Sequence, residues 1–121
     1  MTQTAPVPIA EATTLREQAW VFFNGDTVRY ADAKVGLLTH GLNYGTGIFE
    51  GIRAYWNEEL EQLFALSMQQ HFERMHQNAR ALQMPIPWGL EESIALAVEL
   101  LRRNQHPKVA HVRAPSFQSS D

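Results

Sequence analysis

Few residues in this 121-residue chain have the types and spacings that chemistry requires. Its five histidines, His40, His71, His76, His106 and His111, keep none of the intervals that gather ligands round a metal. His71 and His76, on one expected helix, diverge by about 140° at 3.6 residues per turn. The chain contains no Walker-type phosphate loop, no HExxH and no Gly-x-Ser-x-Gly elbow. With no cysteine, disulfide scaffolds, thiolate zinc sites and cysteine nucleophiles are excluded. Glu58, Glu59 and Glu61 read as a solvated turn rather than an acid/base pair, and Met68 and Met75 as core rather than a cofactor box. What remains is the run His40-Gly41-Leu42-Asn43-Tyr44-Gly45-Thr46-Gly47-Ile48-Phe49-Glu50-Gly51-Ile52-Arg53-Ala54-Tyr55, with Arg74 and Arg113 further on. Taken as bare residue types, Arg74 is a solvated helix arginine, Phe49 ordinary core and Arg113 a strand-end charge.

The elements that must position these residues can be read from the pattern. Trp20-Val21-Phe22-Phe23 is rich in strand formers, Asn24-Gly25 supplies two positive-φ positions, and Thr27 to Tyr30 forms the returning strand. The glycine-dense segment from Gly36 reads as loop, and Ile48 to Tyr55 regains strand character with Gln62 to Leu66 as partner, joined by a turn over Trp56 to Glu59. Phe49, Gly51, Arg53 and Tyr55 share one face of that strand; Ile48, Ile52 and Ala54 share the other. Ser67 and Gln70 fit a capping box. Met68, Phe72, Met75, Ala79 and Leu82 draw an apolar stripe down the helix that follows, which Pro85 and Pro87 end. Leu90, Ile94, Ala97 and Leu101 mark a second helix, with Glu91 and Glu92 at its start and Arg102 and Arg103 at its end, as the dipole favours. A last strand runs Val109 to Arg113, with His111 and Arg113 on one face. The fold class expected is α+β: a mainly antiparallel sheet with two amphipathic helices on one face.

Composition bounds the function. The chain is 45% hydrophobic and 10% aromatic, enough for one core. Ten basic against thirteen acidic side chains, a formal charge of −3, argue against nucleic acid or an anionic membrane as partner. No apolar stretch approaches a membrane span, and no basic leader precedes an apolar core, so a cytoplasmic location is expected.

The His40–Tyr55 run resembles a signature of the class IV pyridoxal-phosphate aminotransferases, the branched-chain amino acid aminotransferases in particular. That family carries His-x-x-x-Tyr-Gly followed by Phe-Glu-Gly-Ile-Arg-Ala-Tyr. The resemblance extends from Trp20 to Arg113: Phe23-Asn24-Gly25 with Asp32-Ala33-Lys34-Val35, Gln70-His71-Phe72-Glu73-Arg74-Met75, Met84-Pro85-Ile86-Pro87, and Ala110-His111-Val112-Arg113. His111 departs from the family's tyrosine, and Ala114 adds a residue before Pro115. D-amino acid aminotransferases and aminodeoxychorismate lyases share the glycine-rich strand entry but lack the Phe-Glu-Gly-Ile-Arg-Ala-Tyr string.

The resemblance implies the fold of the family's small N-terminal domain and pyridoxal 5′-phosphate as cofactor. It also implies amino-group transfer between leucine, isoleucine or valine and 2-oxoglutarate. Arg74 matches the arginine that binds the cofactor phosphate, a task suited to a rigid guanidinium fork. Phe49 and Gly51 match the wall of the substrate side-chain pocket, the glycine leaving room. Tyr44 matches a tyrosine of that pocket which the partner subunit can supply, and Arg113 an arginine near the substrate carboxylate. Arg53 belongs to the signature and reads as structural. The family's cofactor-bearing lysine lies in a second domain that follows. The only lysines here, Lys34 and Lys108, match nothing catalytic.

The chain therefore reads as a flexible arm over residues 1–19, a small aminotransferase-like domain over 20–115 and a polar tail over 116–121, without the lysine-bearing domain. No residue is assigned as catalytic, and the chain by itself is expected to be inactive and to associate through an exposed apolar face, as a homo-oligomer or with the missing domain. The alternatives are a non-catalytic module that binds a partner or an anion through Arg74, and pairing with a separate chain that supplies the lysine.

Overall fold

The computed structural model describes residues 16–105 and 109–118. Most of the expected arm, together with His106, Lys108 and the end of the tail, lies outside them. The chain divides into two compact units, Met1–Lys34 and Val35–Asp121.

In the first unit, residues 16–18 are helical and lead into a hairpin of β1 (Trp20–Phe23) and β2 (Asp26–Arg29). Asn24 and Gly25, at φ 50° and 91°, form the two-residue turn, so Phe23 pairs with Asp26 and Trp20 with Arg29. The return strand begins one residue earlier than expected because the turn needs no third residue. Arg29 lies over the Trp20 ring at 3.8 Å and donates to the Gln18 carbonyl.

The second unit is built on β3 (Gly47–Asn57), flanked by β4 (Gln62–Ala65) and β5 (Val109–Phe117) in the order β4-β3-β5, both pairings antiparallel. Helices α2 (Met68–Ala81) and α3 (Leu90–Asn104) pack on one face of this sheet. The expected α+β architecture is present. Ile52, Met68, Phe72, Met75 and Ala97 form the buried centre, with Ile94, Leu101, Val112 and Ala114 packed around it. Alternation along β3 holds throughout: Glu50, Ile52 and Ala54 are buried, and Phe49, Arg53 and Tyr55 are exposed. A short helix, α1 (His40–Asn43), stands where the glycines suggested loop. Thr39 is buried before it, its hydroxyl donating to the Gly36 carbonyl at 2.7 Å, and the Gly41 N–H donates to Gln118 O at 3.2 Å. The close approach of Phe117 requires the glycine, since a Cβ at residue 41 would lie 2.8 Å from the Phe117 Cβ.

Four expectations are corrected. The capping box at Ser67 and Gln70 does not form: Ser67 is left-handed (φ 51°) and its side chain caps nothing. Leu82 is exposed, because α2 stops one residue before it. That stop is made upstream of the prolines: the Met84 N–H reaches back to Ala79 O and the Gln83 N–H to Arg80 O, with Gln83 at φ 57°. Finally, β5 does not end at Arg113 but continues through Pro115 to Phe117. It is an outer strand, where proline's missing donor is tolerated.

Candidate functional site

Two clusters, one on each face of the β3 sheet, contain the residues singled out from the sequence. On the inner face the alternation of β3 turns Glu50 toward α2. Three residues apart on that helix, His71 and Arg74 flank its buried stripe and converge on the carboxylate. Arg74 grips it edge-on, Nε donating to Oε1 at 2.6 Å and Nη2 to Oε2 at 2.8 Å. His71 Nδ1 stands 2.7 Å from Oε2, and because an ionised carboxylate only accepts, that nitrogen carries the proton. The Arg74 hydrogen bond does most to hold the Glu50 carboxyl down at about 2; burial opposes it and the His71 hydrogen bond assists. In return the carboxylate raises the Arg74 pKa. The Glu50 side chain is 7% exposed and that of Arg74 61%. The carboxylate is thus a rooted anchor, and the outer edge of the guanidinium is open to an anion. Nη1 has no partner among the described residues.

On the outer face, cross-strand register sets Gly51 opposite Arg113, Arg53 opposite His111 and Phe49 opposite Pro115. Phe49 is 73% exposed and takes no part in the core. The space above Gly51 is not empty: a Cβ there would lie 2.8 Å from His111 Nε2, so the imidazole covers the glycine. Register thus places Arg53, His111 and Arg113 on the same face as Gly51, which has no side chain of its own. The neighbouring Tyr55 hydroxyl raises the Arg53 pKa. Tyr44 follows α1, exposed, its ring edge-on to His40 with centroids 5.3 Å apart. The structure therefore brings Phe49, Gly51 and Arg113 together, and Arg74 stands on the sheet's other face. Among the described residues no histidine and acid group could hold a metal ion, and no helix is long and apolar enough to cross a membrane.

The sequence reading overlooked Glu50 as a site residue. Its signal was available: one acid at an inward register between Ile48 and Ile52 needs a buried partner, and hydrogen-bond donors three apart on the next helix, His71 and Arg74, can supply it.

Because His111 Nε2 is the far end of a side chain, Gly51→Ala is expected to swing the imidazole away at little cost. Stability should stay within about 0.5 kcal/mol, while the His111 ring resonances move in an NMR spectrum; unchanged resonances would contradict the geometry.

Comparisons with known proteins identify the family. No family model matches the chain. It is 43% identical over 98 residues to a probable branched-chain-amino-acid aminotransferase of Aquifex aeolicus, covering 81% of this chain and 32% of that protein. The branched-chain aminotransferase of Thermoproteus uzoniensis, solved with norvaline, superposes with a TM-score of 0.79 at 35% identity, over 84% of this chain and 34% of that one. The branched-chain amino acid aminotransferase of Escherichia coli gives 0.76 at 31% identity, over 85% and 34%. A further branched-chain enzyme, complexed with N-(5′-phosphopyridoxyl)-L-glutamate, gives 0.78 at 30% identity, over 86% and 34%. The chain belongs to the branched-chain-amino-acid aminotransferase family and spans about a third of the length of the relatives it matches.

Proposed function

We propose that this chain supplies the cofactor-phosphate anchor and the substrate-pocket wall of a branched-chain amino acid aminotransferase, and that by itself it does not exchange amino groups. Arg74 holds the phosphate of pyridoxal 5′-phosphate. Phe49 lines the space for the aliphatic side chain of leucine, isoleucine or valine, and Tyr44 closes it. Arg113, on the face it shares with Gly51, Arg53 and His111, attracts a substrate carboxylate. Bound at Arg74, the cofactor would supply an electrophilic aldehyde carbon and an electron-withdrawing ring. The chain's own part is binding and orientation. Among the described residues, neither cluster contains a lysine. Partners on this reading are amino and 2-oxo acids, with a second copy or the lysine-bearing part of such an enzyme completing the site.

The supporting observation is the Arg74 guanidinium, tied along one edge and open along the other, which fits a phosphate. Pyridoxine 5′-phosphate, which has no aldehyde to react with lysine, is expected to bind the purified chain where unphosphorylated pyridoxine does not. Loss of one charge-assisted contact in Arg74→Ala should weaken it by about 10-fold or more. Binding that ignores the phosphate, or turnover of leucine with 2-oxoglutarate by the purified chain, would reject the reading.

A further inference from the structure

We propose that Glu50 is the positioning residue for Arg74, presenting the outer edge of its guanidinium in a fixed plane to the cofactor phosphate. The proposal rests on the reading of Arg74 above. Both inner donors, Nε and Nη2, are used by the two carboxylate oxygens, which freezes rotation of the planar group. Of the remaining N–H groups, one on Nη1 and one on Nη2 point out of the far end of the guanidinium at the spacing of two phosphate oxygens. His71 braces the same carboxylate from the side, 2.7 Å from Oε2 and 3.5 Å from Arg74 Nη2. Packing alone does not call for an acid at this place, since Ile48, Ile52 and Ala54 share its face and an apolar residue would avoid the cost of burying a charge.

Charge and orientation act in opposite directions, and their signs separate the two roles. A carboxylate beside the guanidinium offsets its positive charge, so a purely electrostatic Glu50 would weaken phosphate binding and its removal would tighten it. A positioning Glu50 orders a long, mobile side chain before the ligand arrives, so its removal transfers that ordering cost to binding.

The test uses the 121-residue chain with ¹⁵N-labelled arginine, titrated with pyridoxine 5′-phosphate. The Arg74 Nε–Hε resonance is expected to be sharp in the free chain and unmoved at saturation, while the Nη signals shift. In Glu50→Gln that resonance should broaden toward those of solvated arginines and affinity should fall by about fivefold. Equal or tighter binding by Glu50→Gln overturns the proposal. So does loss of the wild-type Nε–Hε resonance on saturation, which would mean the phosphate pulls Arg74 off the carboxylate and requires no variant to fold. If Arg74→Ala binds as well as wild type, the phosphate reading itself fails instead.

Discussion

Phe72→Ala is expected to lower stability by about 3–5 kcal/mol, the range for emptying a phenyl ring from a packed interior. Phe72 is 6% exposed and sits in the cluster with Ile52, Met68, Met75 and Ala97, where both helices meet the sheet. A cavity there loosens contacts among α2, α3 and β3 together. Small domains have only about 5–15 kcal/mol in total, so a large unfolded fraction should appear at about 37 °C. Urea denaturation followed by circular dichroism measures the loss, with Phe49→Ala as the contrast. That ring is 73% exposed, and its removal should change stability by no more than about 0.5 kcal/mol. Similar losses in the two variants would show that the face assignment of β3 is wrong.

Acid should remove a contribution that the wild type has and Glu50→Gln lacks. The folded Glu50 carboxyl is held at about 2, below its ordinary 4.5. A depressed carboxylate stabilises the fold fully above the ordinary value; the contribution fades as pH falls through the interval and is gone below the folded value. The difference in urea midpoint between wild type and Glu50→Gln should therefore be constant above about pH 5 and close progressively between about pH 4.5 and pH 2. Other carboxylates lower the stability of both proteins in acid, so the difference is the quantity to follow. A difference that stays constant throughout would mean the Arg74–Glu50 fork contributes nothing to the folded state.

Local chemistry made much of the fold legible. Asn24-Gly25 dictates a hairpin wherever it sits between strand formers, and the spacing of Met68, Phe72, Met75 and Ala79 buries one side of a helix in any context. The outward set Phe49, Gly51, Arg53 and Tyr55 followed from period two alone. What could not be read depended on distant partners. The glycine-dense segment forms α1 because Gln118, far along the chain, accepts from Gly41 and Phe117 packs against it. The continuation of β5 past Pro115 depends on its being an outer strand, a fact of topology. Residue types by themselves made Arg74 a solvated cation, and only the inward turn of Glu50, a full strand and turn earlier, gives it a fixed geometry. In the same way the imidazole of His111 covers Gly51 by cross-strand register, which no local pattern encodes.

Glu61, Ser67, Gln83 and Gln105 all take left-handed backbone angles, φ 47° to 57°, without being glycine. Each stands at the boundary of an element, and none is a residue of either cluster. The chain thus keeps unused thermal headroom at its joints, where a residue lacking a Cβ would relieve the crowding. Anyone hardening this scaffold could work at those corners and leave the chemistry-bearing faces untouched.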